Sequence, residues 1–207
     1  MSSSIVRDLA DPDNIVVVDQ QIYVTEEDPR GRIVRLDSLE NLAVFASGLD
    51  NPEGLDLGPD GRLYVAEHTA QGRVFSFSKD GARNTLARVT NGEGLRVLPD
   101  GTVLVAETSE DRVVAIDASG EKSVFADGIS APDGLAYDSE RRRVLVTEDA
   151  APGRLVAVDV ASGVMDIVAT GLHSPQTMLI ESDGSILVAE QGEDRVLRLR
   201  PTFTEEP

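Results

Sequence analysis

NPEGLDLGPDGRLYVAE, residues 51–67, reads as two short strands folded about a Pro-Asp-Gly turn at 59–61. Leu, Tyr and Val fill the runs on either side. Pro presets φ and Gly accepts the positive φ that a tight hairpin needs. The same grammar returns four more times, as DPDNIVVVDQQIYVTE (11–26), GEGLRVLPDGTVLVAE (92–107), APDGLAYDSERRRVLVTE (131–148) and SPQTMLIESDGSILVAE (174–190). Each copy ends in Glu, at Glu26, Glu67, Glu107, Glu148 and Glu190, with steps of 41, 40, 41 and 42 residues between them. A second phrase follows each copy: GRIVRL, GRVFSF, DRVVAI, GRLVAV and DRVLRL. Matching at two registers marks an internal repeat.

Within one unit the pattern is all β. A run at 54–57 is followed by the turn, a second run at 62–67, a third at 73–78, a Lys-Asp-Gly turn, and a fourth near 85–89. No segment carries a sustained helical period with caps. Four antiparallel strands repeated about every forty residues describe a β-propeller blade. The fold expected is therefore all-β, a propeller of five four-stranded blades in one domain over 1–200, with a tail at 201–207. The fifth unit ends after its third strand. The segment from Ser4 to Asn14 resembles the fourth-strand junctions at 123–134 and 166–177. An N-terminal strand is thus expected to complete the last blade and close the ring, removing an exposed sheet edge.

Composition narrows the function. The hydrophobic fraction is 41%, enough for a core, but aromatics are only 4% and Trp is absent, so Val, Leu, Ile and Ala must fill that core. The net charge of -18 argues against nucleic acid and anionic membranes as partners, since both need clustered Lys and Arg. With no Cys, thiolate chemistry and disulfides are excluded. There is no transmembrane-length apolar run and no recognisable signal segment, so a cytoplasmic monomer acting on a small molecule is expected. Gly-x-Ser-x-Gly, P-loop, His-Glu-x-x-His and Gly-x-Gly-x-x-Gly motifs are all missing.

Blade topology brings the second-to-third-strand loops to the face where the innermost strands begin. The residues opening those strands, Asp13, Glu53, Glu93, Asp133 and Gln176, should ring the central channel. Four of the five are acids, and two carboxylates ~8 Å apart repel by about 2 kcal/mol at an effective dielectric near 20. Either some carry raised pKa values or a cation sits among them. Oxygen donors suit calcium, with magnesium or manganese as alternatives, and do not suit zinc. The competing reading is that these acids pair with Arg or backbone N–H groups and hold no metal. The five strand-end glutamates each precede an Arg by five or six residues and read as repeated structural pairs. The two histidines, His68 and His173, fall on the same face and break the repeat. His is the usual proton carrier near neutral pH.

The acid-Gly phrases Pro52-Glu53-Gly54, Gly92-Glu93-Gly94 and Pro132-Asp133-Gly134 resemble those of the senescence-marker-protein, gluconolactonase and regucalcin-like propellers. VAETSEDRVVAIDASG (105–120) is similar to NHL-type repeats. That family places a metal ligand immediately before Gly at the innermost strand. The resemblance implies Glu53, Glu93 and Asp133 as ligands of a divalent cation, with Asp13 as a further candidate. It also implies Asp133 as general base, while His173 is a candidate proton shuttle. The implied activity is metal-dependent hydrolysis of a lactone or ester at the channel mouth. The alternative is a non-catalytic propeller that binds a small ligand or a protein partner. The family has six blades where five are counted here, and no Asn-Gly-Leu ligand phrase is present.

Overall fold

The computed structural model describes residues 9–37 and 41–200. Apart from two one-turn 3-10 helices, at Thr108–Glu110 and Gln191–Glu193, its regular structure is β. The first sheet holds β1 (Pro12–Val18), β2 (Gln21–Glu26), β3 (Gly31–Leu36) and β4 (Leu42–Leu49). The second holds β5 (Pro52–Leu57), β6 (Leu63–Glu67), β7 (Arg73–Phe77) and β8 (Arg83–Arg88). The third holds β9 (Gly92–Val97), β10 (Val103–Glu107), β11 (Arg112–Ile116) and β12 (Lys122–Asp127). The fourth holds β13 (Pro132–Asp138), β14 (Arg143–Glu148), β15 (Gly153–Asp159) and β16 (Met165–Leu172). In the fifth, β17 (Pro175–Ile180), β18 (Ile186–Glu190) and β19 (Arg195–Leu199) form a three-stranded sheet. The strands of each sheet are antiparallel and follow chain order, so the molecule is a five-bladed β-propeller with β1, β5, β9, β13 and β17 innermost. The N-terminal strand expected to complete the fifth blade draws on residues 1–8, which lie outside the described residues, as does the tail 201–207. No helix among the described residues is long and apolar enough to cross a membrane.

The blades stack through apolar faces. Val16 and Tyr23 of the first blade meet Leu55, Leu63, Phe75 and Phe77 of the second. The other face of the second, with Ala66 and Val74, meets Leu95, Val105 and Val114 of the third. Leu104 and Val113 of the third meet Val144 and Val156 of the fourth. Leu145 and Leu155 of the fourth meet Met178, Ile186 and Val188 of the fifth. Period-two alternation sends successive residues of each strand to opposite faces, so every interior blade contributes to two such layers. Among the described residues four apolar layers thus join the five blades. The facing surfaces of the fifth and the first leave Ile15, Val17, Leu179 and Val196 more than half exposed, at 60%, 66%, 61% and 69%.

A polar clamp recurs where one blade hands over to the next. Glu26, Glu67, Glu107, Glu148 and Glu190 are buried to 3% exposure or less. Each pairs with the Arg expected from the sequence: Arg32, Arg73, Arg112, Arg154 and Arg195. Each also accepts a backbone N–H from the linker into its own blade, from Ala10, Asp50, Thr90, Ser130 and His173 at 2.7–3.0 Å. The next linker residue is left-handed in every copy: Asp11, Asn51, Asn91, Ala131 and Ser174, with φ between 40° and 47°. Its carbonyl accepts the N–H of the residue after the buried glutamate: Glu27, His68, Thr108, Asp149 and Gln191. The linker and the channel-face loop are thereby fixed to one another.

Burial makes these pairs worth more than exposed ion pairs, because a carboxylate out of water must keep its partners. Glu107 is the fullest case, holding Arg112, Lys122 at 2.8 Å and the Thr90 N–H at 3.0 Å. Glu107→Ala is expected to cost about 2–3 kcal/mol in urea unfolding, and Glu107→Gln, which keeps an acceptor for Thr90, about half that. Stability of Glu107→Ala within about 0.5 kcal/mol of wild type would show the clamp to be dispensable.

Candidate functional site

The linker geometry aims the next side chain at the axis. After the left-handed residue comes Pro or Gly, and then Asp13, Glu53, Glu93, Asp133 or Gln176. All five line one cavity of about 610 Å³ along the channel. The structure therefore brings together the four expected acids and the fifth-blade amide. The Gly after each middle acid has a steric reason. A Cβ on Gly54, Gly94 or Gly134 would run into the carbonyl oxygen of Glu93, Asp133 or Gln176 on the next inner strand. The acid-Gly phrase thus permits close approach of neighbouring inner strands, whatever the acid itself does.

A second polar ring surrounds the first. The residues after the buried glutamates, Glu27, His68, Thr108, Asp149 and Gln191, are held against the strand-opening residues by the bonds described above. His68 Nδ1 lies 3.2 Å from Glu53 Oε1 and 3.9 Å from Glu27 Oε1. Glu27, Glu53 and His68 each offer a donor atom within 4.8 Å of the others. The Thr108 hydroxyl contacts the Glu93 carboxylate and the Pro132 carbonyl. The sequence reading had singled out only His68 from this ring. The others carry a signal of their own: the position after the repeated Glu changes from blade to blade yet stays polar.

Electrostatics follow from crowding. Asp133 is pushed up to about 8, first by burial and then by the charges of Glu93, Asp149, Glu53 and Asp13. Burial pushes Glu53 up to about 7 in spite of its bond to His68. That bond raises His68 to about 9, so the imidazole is the protonated partner at neutral pH. Glu93 is raised by burial and by Asp149 and Glu27, against the opposing Thr108 bond. Asp13 is pushed up to about 6 by burial and by Glu27, Glu93 and Asp11. Its side chain is exposed to solvent, so the like charges weigh more there than the burial does.

Several polar atoms of the cavity-lining residues have nothing to bond. Glu53 Oε2, Asp133 Oδ2 and Gln176 Nε2 are buried and without hydrogen-bond partners. Buried polar atoms are ordinarily paired, and the pairing alternative weighed from the sequence does not account for these. Oxygen donors around one cavity, two of them orphaned, fit a hard divalent cation, although among the described residues only Glu27, Glu53 and His68 already stand within 4.8 Å of one another. Deeper in the channel, Arg96 bonds to Asp56 at 3.3 Å and to the Leu135 carbonyl, forming a floor. His173 lies elsewhere. Its imidazole is half-exposed and faces Glu193 at 3.4 Å; neither it nor His68 is among the residues lining the cavity, and what separates them is that His68 touches the lining acid Glu53.

No protein-family model matches the chain, and no curated protein matches it. Solved structures do. Aldose sugar dehydrogenase from Streptomyces coelicolor, in its PQQ-bound form, superposes with a TM-score of 0.78 at 18% identity, over 98% of this chain and 80% of that one. Virginiamycin B lyase from Staphylococcus aureus, inactivated and bound to quinupristin, gives 0.77 at 15% identity, over 95% and 68%. A protein assigned as a gluconolactonase gives 0.74 at 13% identity, over 96% and 80%. These proteins span a lyase, a dehydrogenase and a hydrolase-type assignment, so the likeness establishes a shared propeller fold.

Proposed function

We propose that the channel mouth holds a divalent cation, calcium being the best fit, through Asp13, Glu53, Glu93 and Asp133, and that it hydrolyses a lactone or ester there. The observation that carries this reading is the pair of orphaned buried carboxylate oxygens, on Glu53 and Asp133, inside a ring of acids. A divalent cation supplies Lewis-acid polarisation of a carbonyl. Asp133, once ionised, is the general base: its carboxylate takes a proton from water as the water oxygen bonds to the carbonyl carbon. The ring or ester C–O bond then breaks, and the proton passes to the departing oxygen, giving a hydroxy acid or an alcohol and an acid. His68, held by Glu53 and Glu27, sits where a proton carrier is needed. His173 faces Glu193 instead, and in this reading the shuttle role is assigned to His68 in preference to His173. The partner is a small molecule, and the protein works as a monomer in the cytoplasm.

Thermal melts of chelator-stripped protein with calcium, magnesium and manganese test the cation first. Saturation a hundredfold above Kd is expected to add about 2.7 kcal/mol. Asp133→Asn removes one of the crowded charges. It is expected to raise the cation-free melting temperature while abolishing the cation-dependent rise. On a lactone panel the same variant should lose about 10²-fold or more in kcat. Wild-type turnover that survives Asp133→Asn unchanged would overturn the assignment. Cation binding without turnover of any lactone or ester would favour a binding propeller.

The raised acids also set a pH signature. Without a cation, Asp13, Glu53 and Asp133 keep protons in the folded protein that the unfolded chain has already released. The folded state binds more protons, so their contribution falls as pH rises from ~4 towards the highest folded value of about 8. His68 acts in the same direction, its stabilisation present below ~6.5 and lost as pH rises through about 9. A cation competes with those protons and binds more tightly at high pH. Cation-induced stabilisation is therefore expected to be larger at about pH 8.5 than at about pH 5.5, measured by melts at both; equal gains would place the cation away from these acids.

A further inference from the structure

The cavity that contains the acid ring does not stop at the channel wall. Its lining continues from Asp13 and Gln176 onto Ile15 and Val16 of β1 and onto Leu179, Leu187, Ala189 and Val196 of the fifth sheet. Strand register explains this second wall. Leu179 is opposite Leu187 and Ala189 is opposite Val196, so these four share the face turned away from the fourth blade. On β1, Val16 and Val18 turn to the second blade, which leaves Ile15 and Val17 on the other side. The result is an apolar seam between the first and fifth blades, open to solvent at Ile15, Leu179 and Val196 and continuous with the polar site. The whole cavity, about 610 Å³, is in the range of pockets that bury drug-sized ligands and larger than a bare lactone ring needs.

Charge selects among amphipathic occupants. Six carboxylates, Asp13, Glu27, Glu53, Glu93, Asp133 and Asp149, crowd the polar end, whereas Ile15, Val16, Leu179, Leu187, Ala189 and Val196 give the seam a mainly aliphatic wall, with Asn14 and Thr177 also in the lining and Arg198 opposite Leu187. Even with the His68 imidazolium, the Arg96 guanidinium and one divalent cation counted, six ionised carboxylates leave this end net negative, so a free carboxylate head is disfavoured against a neutral carbonyl. We propose that the substrate is an amphipathic lactone or ester whose neutral carbonyl head enters the acid ring and whose unbranched apolar chain lies along the seam against Ile15, Leu179 and Val196. This rests on the hydrolase reading of the channel and adds the substrate class to it. Hydrolysis turns the head into an anion, which the same acids expel.

The experiment pairs turnover with binding. With calcium present, kcat/KM is measured for γ-butyrolactone, γ-octalactone and γ-dodecalactone. Calorimetry then gives affinities for 5-alkyl-2-pyrrolidinones of matching chain length, which resist hydrolysis. Each added methylene is expected to improve both quantities by about 2–4-fold until the seam is filled. The double variant Leu179→Ser, Val196→Ser, at two exposed positions, is expected to flatten both slopes. Pyrrolidinone affinity independent of chain length, or a slope that survives in the double variant, overturns the chain site whatever the turnover. A chain-length slope in affinity with no lactone turned over keeps the chain site and overturns the hydrolase reading instead. A dimer in sedimentation that the double variant splits, with flat affinities, assigns the seam to a second copy and also overturns the proposal.

Discussion

One buried carboxylate per blade organises this molecule. A β-blade by itself is a twisted sheet with two apolar faces, and nothing in that description sets where the chain leaves one blade for the next. The glutamate at the end of each second strand does so. It grips the arginine opening the third strand and the linker N–H arriving from the previous blade, so three chain segments meet at one desolvated charge. Such a charge is costly unless all its partners are present, which makes the arrangement specific as well as cohesive. The left-handed residue that follows completes the joint with its carbonyl.

The candidate site is a by-product of that joint. Because linker and loop are locked together, the strand-opening residue and the residue after the buried glutamate come to the channel as a pair in every blade. A neutral pair would make an ordinary polar channel. In this chain the pairs are Asp13 with Glu27, Glu53 with His68, Glu93 with Thr108, Asp133 with Asp149 and Gln176 with Gln191. Negative charge is concentrated on the first four blades and absent from the fifth. Burial first, and then the field of these neighbouring charges, raises Asp133 and Glu53, each of which keeps one oxygen without a partner.

The sequence made most of this visible, and the reasons differ by feature. The forty-residue period, the hairpin turns and the Glu–Arg pairs repeat, and repetition turns weak local signals into a firm architecture. Blade two was readable nearly strand for strand, since Pro59-Asp60-Gly61 punctuates it sharply. The ring of acids was legible for the same reason, being a fixed offset from a repeated turn. What escaped was anything that depends on register across the loop. His68 and His173 look equivalent as non-repeating histidines. Only their offsets from the buried glutamate separate them: one follows it on the channel side, and the other supplies a linker N–H to it. The glycines of the acid-Gly phrases looked like part of a ligand motif, whereas their packing shows them making room for the neighbouring strand.

That packing also marks where the pattern changes. Thr177 stands where three other blades carry glycine, and it is exposed, because no inner strand crowds it on that side. Among the described residues, four apolar layers serve the five blades of this propeller, so the first and fifth blades are each packed on one side. In such an arrangement stability passes only between neighbours, and end units, supported on one side, open before the middle ones. The third blade, flanked on both sides, is then the keystone. Amide exchange should slow towards it from either end, with the three-stranded fifth blade exchanging early. A ligand bridging Ile15 and Leu179 would act as a clasp, lending the first and fifth blades packing on their second side.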